Sequence, residues 1–183
     1  SVDCAFKGEA ESDRVSIQVW GRHLLDRFLL DNDTRNMDVA ETMRALVAMH
    51  AKWKRTHTIG VVLVEDKANG PAVIQMLQRK VPGLVPVEPH GGKIVRARAV
   101  TPYIESGNVY LPDPSINPRI HDFIEECSAF PKGRYDDQVD AMTQALLFFL
   151  ERGGETIQRA DPGHTSQVPN IGYTHDSIPS MVG

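Results

Sequence analysis

The segment from 133 to 150, GRYDDQVDAMTQALLFFL, places the strongest constraint on how this chain folds. Its apolar residues recur at steps of three and four positions, which is the spacing of one face of an α-helix. The residues on this face are Val139, Met142, Ala145, Leu146 and Phe149. The pattern therefore predicts an amphipathic helix that begins near Asp136 and packs this face against a core.

Three aspartates stand at the start of this predicted helix. Asp136, Asp137 and Asp140 fall within its first turn, and Asp137 and Asp140 lie on the same side of it. Capping and the helix dipole account for one or two acidic side chains at a helix N-terminus. A third adds repulsion between like charges, which a bound cation would neutralise. The motif leaves two interpretations open, plain capping and a metal site.

Composition and charge are those of a globular protein with no strong bias. The 183 residues suffice for one domain and a tail, and 41% are hydrophobic. The net charge of −4 results from 20 Lys and Arg against 24 Asp and Glu, so bulk charge does not indicate nucleic-acid binding. A carboxylate-lined site within a locally basic surface is compatible with the same balance.

Cysteine content and hydropathy exclude further classes. Cys4 and Cys127 are the only cysteines, too few for a disulfide framework or a zinc cluster. No apolar run approaches the roughly 20 residues that cross a bilayer, and no signal peptide is present. Because the chain opens without Met in what resembles the middle of a strand, we expect it to be a piece of a longer protein.

The N-terminal part predicts three consecutive strands. The first runs from Ser1 to Lys7 and carries Asp3 near its middle. The second is indicated by the alternation of Val15, Ile17 and Val19 with polar residues, and the third runs from Arg22 to Leu30. Their hairpin spacing predicts an antiparallel meander.

The central part predicts helices and strands in alternation. Asp38 and Glu41 form a capping-box pattern at the start of a helix that ends near Arg55. The nearly continuous apolar run from Thr58 to Glu65 is typical of a central strand, and Pro71 is suited to open the next helix. A short strand follows at 84–87, so the whole pattern predicts an α/β fold with a central mixed sheet flanked by helices.

The C-terminal part predicts two more helices before the acidic one, and then a tail. One helix begins at Lys93 and should be kinked or interrupted at Pro102, and another runs from Pro118 to Cys127 after a short strand at 108–111. Residues 153–183 are rich in Gly, Pro, Ser and Thr. We therefore expect one domain over 1–152 and a flexible tail over 153–183.

Acidic residues occupy comparable places in three predicted elements. Asp3 lies on the first strand, Glu65 or Asp66 at the carboxyl end of the buried strand, and Asp137 with Asp140 at the start of the last helix. Ligands of α/β sheets bind beyond the carboxyl ends of the strands. Because the candidate ligands are all oxygens, Mg²⁺ or Mn²⁺ is favoured over zinc.

A carboxylate cluster of this kind suits hydrolysis of phosphodiesters. Two metal ions about 3.5 to 4 Å apart activate the attacking water and stabilise the leaving oxygen. Cationic side chains in flanking loops and helix starts are candidates to hold the phosphates of DNA. These candidates are Lys67, Lys93, Arg96, Arg98, Lys132 and Arg134.

Four separated motifs resemble, in order and spacing, the C-terminal nuclease domain of the large terminase subunit of tailed bacteriophages. They are Val64 to Gly70, then Lys93 with Arg96 and Ala97, then Phe130-Pro131, then Asp136 to Ala141. Ser1-Val2-Asp3 matches the opening strand of that family, so the resemblance covers roughly 1–150. It implies a ribonuclease H-like fold and a two-metal endonuclease that cuts double-stranded viral DNA during genome packaging, with Mg²⁺ or Mn²⁺ as its ions.

The resemblance also implies roles for individual residues. Asp3 would bridge both metal ions, Glu65 would be the second acid with Asp66 as the alternative, and Asp137 the third with Asp140 as a helper. Asp136 is expected to cap the helix. No phosphate-binding loop of the Gly-x-x-x-x-Gly-Lys-Ser/Thr type occurs in the sequence, so we expect this chain to cut DNA without hydrolysing ATP.

Partners and location follow from the same resemblance. The implied partners are double-stranded DNA, a terminase ATPase domain, the small terminase subunit and the portal protein, with no membrane involved. The implied location is the cytoplasm of the host cell. Two alternatives stay open: a junction-resolvase or transposase nuclease of the same fold, and a packaging-motor docking module without catalysis.

Overall fold

The computed structural model describes residues 1–4, 13–66, 70–152 and 173–174. Seven strands in these ranges form one sheet, and five helices pack around it. The strands are β1 Val2–Asp3, β2 Asp13–His23, β3 Asp26–Met37, β4 Val62–Glu65, β5 Leu84–Val87, β6 Val109–Pro112 and β7 Tyr173–Thr174. The helices are α1 Val39–Lys54, α2 Gly70–Leu77, α3 Lys93–Glu105, α4 Ile120–Ala129 and α5 Asp137–Glu151.

The sheet is mixed, with the strand order β5-β4-β1-β2-β3-β6-β7. Strands β1, β2 and β3 are antiparallel neighbours, as the hairpin spacing predicted. Strand β4 is parallel to β1, β5 is parallel to β4, and β6 is parallel to β3. The prediction of an antiparallel meander joined to parallel strands is therefore confirmed.

Strands β2 and β3 form a long hairpin whose limits differ from the prediction. The turn contains Leu24, which has a φ of 52°, and β3 runs from Asp26 to Met37 rather than ending near Leu30. Before Met37 the extension consists of polar residues, some of which have partners on other elements: Asn32 Nδ2 donates to Gln138 Oε1 over 2.6 Å, and Thr34 Oγ1 donates to Ser16 Oγ over 3.0 Å. Because these partners lie on other elements, the local sequence pattern of β3 did not predict them.

Alternate residues of the central strands face two different sets of helices. Val2, Ile17 and Val64 belong to a core cluster that includes residues of α1 and α2. The opposite face packs against α3, α4 and α5, and Gln18 beside Ile17 donates from its side chain to the carbonyl of Gln138 on α5. The residues that follow Val2 and Val64 therefore point toward the α5 side of the sheet.

The helix starts are partly those expected. The capping box of α1 is present, since Asp38 Oδ1 accepts from the N–H of Glu41 over 2.7 Å and Glu41 Oε2 accepts from the N–H of Asp38. Helix α3 begins at Lys93 as predicted, but it runs past Pro102 and ends at Glu105. The expected interruption is absent, although Pro102 removes one N–H from the hydrogen-bond ladder of the helix.

The predicted tail lies almost entirely outside the described residues. Its exception is β7, in which Tyr173 and Thr174 pair antiparallel with Pro112 and Leu111 of β6. The prediction of a flexible segment over 153–183 stays a prediction. No helix in the described ranges combines the length and apolarity that crossing a membrane requires.

Candidate active site

Two neighbouring parallel strands bring the first two acids together. Val2 is paired with Val64, so Asp3 and Glu65 follow side by side at the carboxyl ends of β1 and β4. Both are buried, each with only 5% of its surface exposed. Their carboxyl groups share a hydrogen bond, which requires a proton between two groups that would otherwise repel.

Asp3 lies in an environment that strongly disfavours its charged form. Burial is the largest cause, followed by the hydrogen bond and charge of Glu65 and then the charges of Asp140 and Asp137; together they raise the pKa of Asp3 to about 9. Asp3 Oδ1 is also buried without a hydrogen-bond partner among the described residues. A buried oxygen without a partner, next to other carboxylates, is the kind of position that a cation would stabilise.

The alternation of side chains along β4 distinguishes Glu65 from Asp66 as the neighbour of Asp3. Val64 faces the α1 and α2 side of the sheet, so Glu65 faces the α5 side, as Asp3 does. Asp66 follows the end of β4 and is partly exposed, and its N–H donates to the carbonyl of Val87. The structure thus brings Glu65, and not Asp66, next to Asp3.

Asp137 approaches the acid pair from the first residue of α5. Burial raises its pKa to about 6, the charge of Arg14 opposes this rise, and the charge of Glu126 adds to it. Arg14 Nη1 lies 3.4 Å from Asp137 Oδ2. Since its charge also helps to raise the pKa of Asp3, Asp137 is a third carboxylate within electrostatic range of Asp3, contacted from the side by a cation on β2.

Asp140 already has a cation at each carboxylate oxygen. Arg96 Nη2 donates to its Oδ1 over 2.7 Å, and Lys93 Nζ lies 2.9 Å from its Oδ2. Asp140 and Arg96 are both buried, with 6% and 7% of their surfaces exposed. This arrangement joins α3 to α5 and keeps the negative charge of Asp140 beside Asp3 while balancing it locally.

Asp136 occupies the N-cap position of α5, but its side chain does not cap the helix. Its Oδ1 accepts a hydrogen bond from Lys93 Nζ over 2.6 Å instead. Burial alone would lower the pKa of Lys93, but its bonds to Asp136 and Asp140 outweigh burial and raise it. The prediction that Asp136 caps the helix is therefore wrong in its side-chain contact, because Lys93 competes for the carboxylate.

The predicted DNA-contacting cations fall into three groups. Lys67 lies outside the described residues. Lys93 and Arg96 are bound to the acids of α5, as described above. Arg98, Lys132 and Arg134 are exposed, the last two in the loop between α4 and α5 that leads directly to Asp137.

Comparison with known families decides the assignment. A family model for the terminase RNaseH-like domain matches residues 1–148 of the 183. The chain belongs to the terminase RNaseH-like family. No curated protein matches the sequence at a significant level. Family membership confirms the ribonuclease H-like fold and supports a nuclease-type role in a terminase.

This terminase RNaseH-like domain uses further residues at the site that the sequence did not indicate. Glu126 of α4 accepts hydrogen bonds at its carboxylate from the N–H of Gln138 over 2.6 Å and from Gln138 Nε2 over 2.8 Å. It supplies the cap of α5 that Asp136 does not. Arg14 lies 2.7 Å from the same carboxylate. Neither Arg14 nor Glu126 stands in a recognisable motif, and only the packing of α4 and β2 against α5 brings them to the site.

The acids of this domain do not form a ready metal-binding cluster. Within the described ranges, no three His, Cys, Asp or Glu side chains are arranged to hold an ion as they stand. The chemistry of the donor set nevertheless fits a hard divalent cation, because Asp3, Glu65 and Asp137 offer only carboxylate oxygens. The buried Asp3 Oδ1 provides a donor with no other partner among the residues described.

Proposed function

We propose that this chain is a metal-dependent endonuclease that cuts double-stranded viral DNA while a viral genome is packaged. The observation that carries the proposal is the contact between Asp3 and Glu65 at the carboxyl ends of β1 and β4. Two buried carboxyl groups side by side destabilise the fold unless a proton or a cation lies between them. Membership of the terminase RNaseH-like family makes a nuclease site the natural use of such a pair.

Asp3, Glu65 and Asp137 are the residues that would hold the divalent ions, Mg²⁺ or Mn²⁺. When bound, a pair of such ions supplies an activated water and a counter-charge for the leaving oxygen of the phosphodiester. The protein contributes the positions of the three carboxylates, and binding requires that Asp3 and Glu65 give up the proton they share. Asp140, fixed by Arg96 and Lys93, would orient α5 rather than add a free ligand.

DNA would approach over the loop between α4 and α5. Lys132 and Arg134 are exposed there, adjacent in sequence to the start of α5, and Arg98 is exposed on α3. Exposed cations of this kind bind phosphates without reading sequence. We further propose the partners of a packaging motor: a terminase ATPase domain, the small terminase subunit and the portal protein, acting in the cytoplasm of the host cell.

The test is cleavage of supercoiled plasmid by the purified chain with Mg²⁺, Mn²⁺, Ca²⁺ or EDTA. We expect cutting with Mn²⁺ or Mg²⁺ that is lost in EDTA. Asp3→Asn and Asp137→Asn should each lower the cleavage rate by more than about 100-fold. Losing a residue that only hydrogen-bonds to a metal ligand already costs up to roughly 100-fold, and these two variants remove the ligands themselves. Glu125→Gln is the control, because it removes one negative charge at an exposed position on α4. This variant should cleave DNA at the rate of the original chain.

Other results would favour the alternatives. If the chain cuts no DNA and calorimetry shows no Mn²⁺ binding, the docking-module interpretation replaces the nuclease. If the chain cuts four-way junctions but leaves linear and supercoiled duplexes intact, a resolvase-type nuclease replaces the terminase nuclease. Retained activity in both Asp3→Asn and Asp137→Asn would remove the site assignment while leaving a nuclease elsewhere in the chain.

A further inference from the structure

A buried carboxylate on α4 lies just outside the three proposed ligands. The side chain of Glu126 is 4% exposed, its oxygens accept hydrogen bonds from Gln138 N–H and Gln138 Nε2 over 2.6 and 2.8 Å, and it forms an ion pair with Arg14 Nη1 at 2.7 Å. A buried ion pair of this kind costs desolvation and is often no more stable than a well-packed apolar pair. The two contacts with Gln138 cap α5, whereas the ion pair with Arg14 need not add to stability.

Arg14 stands between two carboxylates and is closer to one of them. Its Nη1 lies 2.7 Å from Glu126 Oε2 and 3.4 Å from Asp137 Oδ2. Its guanidinium also stacks over the ring of Tyr135, with Cζ 4.3 Å from the centroid. The guanidinium therefore contacts α4 through Glu126 and the α4–α5 loop through Tyr135, and it donates a longer hydrogen bond, of 3.4 Å, to Asp137 Oδ2.

Removing the charge of Glu126 would change which carboxylate Arg14 binds. Asp137 would become the nearest anion to a partly buried guanidinium, and a close Arg–carboxylate pair is among the strongest hydrogen-bonded pairs in proteins. An Asp137 carboxylate engaged in this way has fewer free lone pairs for a metal ion, and its charge is already balanced. Competition between Arg14 and a cation for Asp137 thus depends on Glu126.

We propose that Glu126 is a positioning residue that keeps the contact between Arg14 and Asp137 long and weak, and so leaves the Asp137 carboxylate available to a divalent cation. This role rests on the proposed function, since it concerns one of the three carboxylates assigned there. Glu126 acts through Arg14 and through the first turn of α5, and it touches neither metal nor DNA itself.

The first measurement is the Mn²⁺ dissociation constant of Glu126→Gln by titration calorimetry, without DNA. The amide carries no charge to hold Arg14, so we expect Arg14 to move onto Asp137 and Mn²⁺ binding to weaken by about 10-fold or more. Glu125→Gln, one position away and exposed, makes the same change of charge and should bind Mn²⁺ like the original chain. Thermal unfolding of each variant reports whether the fold is kept.

The double variant Glu126→Gln with Arg14→Met distinguishes this role from mere support of the fold. If Glu126 acts by restraining Arg14, removing Arg14 as well should restore Mn²⁺ binding to within about threefold of the original value, as expected for strongly coupled neighbours. If Glu126 only supports α5, the double variant should bind Mn²⁺ no better than the single one. That second result overturns the proposal.

Remaining outcomes are also decisive. If Glu126→Gln does not fold, Glu126→Asp replaces it, because Asp keeps the charge and withdraws the carboxylate by one methylene group; the same loss and the same rescue by Arg14→Met are expected. Unchanged Mn²⁺ binding in the folded single variant overturns this role alone. Absence of Mn²⁺ binding by the original chain overturns the proposed function, and this role with it.

Discussion

At the scale of one residue, Asp3 shows how a residue of a candidate site can lower the stability of the fold that contains it. Its carboxyl is buried beside Glu65, its Oδ1 lacks a partner among the described residues, and its pKa is raised to about 9. An Asn at this position would carry no charge to desolvate. Asp3 therefore lowers the free energy of unfolding, which is typical of residues at functional sites.

The raised pKa of Asp3 predicts how stability depends on pH in the metal-free protein. The pKa of Asp3 is higher in the folded chain than in the unfolded chain, so folding takes up a proton at pH values between the two. The free energy of unfolding should therefore fall as pH rises from about 4 to about 9. Asp137, with a pKa of about 6, should contribute to the lower part of this range in the same direction. Denaturant unfolding in EDTA across this range measures the slope.

Asp3→Asn provides the matched variant for that measurement. It should unfold at a higher temperature than the original chain at pH 8, by roughly 2–4 °C for each 1 kcal/mol gained, and its stability should depend less on pH. Asp26→Asn at the β2–β3 turn removes one aspartate remote from the acid pair and is the control. A stability that rises between pH 5 and pH 9 in the original chain would contradict the assigned environment of Asp3.

How much of the site could be predicted from sequence depends on where each residue's partners lie. Asp3 and Asp137 were predicted as site residues because strand ends and helix starts are visible as local patterns, whereas the pattern left Glu65 and Asp66 open and only the family resemblance favoured Glu65. Arg14 and Glu126 were missed because their partners stand on other elements, which the local pattern around each residue does not show. The capping role expected of Asp136 was wrong for the same reason, since Lys93 reaches it from α3.

At the scale of elements, the same distinction explains the fold. Predicted limits were accurate where a local signal sets them, as in the capping box of α1 and the short strand β5 at 84–87. They were inaccurate for β3, whose polar residues beyond Leu30 are satisfied by α1 and α5. Asp31 Oδ2, for example, accepts from Lys52 Nζ over 2.5 Å and from Trp53 Nε1 over 2.9 Å.

The loop between α4 and α5 carries a prediction about DNA binding. Lys132→Gln with Arg134→Gln removes two exposed cations, so affinity for duplex DNA should fall at all sequences alike and the slope of log affinity against log salt should shrink by about 2. Binding in Ca²⁺, measured by fluorescence anisotropy at several salt concentrations, gives both quantities.

A matched pair elsewhere on the surface makes this test specific. Arg79→Gln with Lys80→Gln removes one Arg and one Lys that are exposed after α2, the helix that packs on the other face of the sheet. This pair should leave the affinity and its salt dependence nearly unchanged. Equal losses in the two double variants would indicate only the effect of net charge and would contradict a binding surface at the α4–α5 loop.

At the scale of the whole molecule, the two faces of the sheet differ in character. The cluster shared with α1 and α2 is apolar and fixes β1 beside β4, whereas the α5 face carries the polar network of Gln18, Asn32 and Gln138 that leads to the acids. The family match ends at 148, close to the end of α5. The residues that we propose as metal ligands thus all lie before Arg152.

Truncation after Arg152 tests whether the catalytic unit is complete without the segment that follows. We expect the shortened chain to cut plasmid DNA within about twofold of the full chain, because the family match and the proposed metal ligands all lie within 1–148. Loss of the Tyr173–Thr174 pairing with β6 exposes one edge of the sheet, remote in strand order from β1 and β4, so only a small decrease in the unfolding temperature should follow. If the shortened chain folds and binds Mn²⁺ normally yet cuts poorly, residues beyond Arg152 contact the DNA, and the assignment of the whole reaction to 1–152 would be wrong.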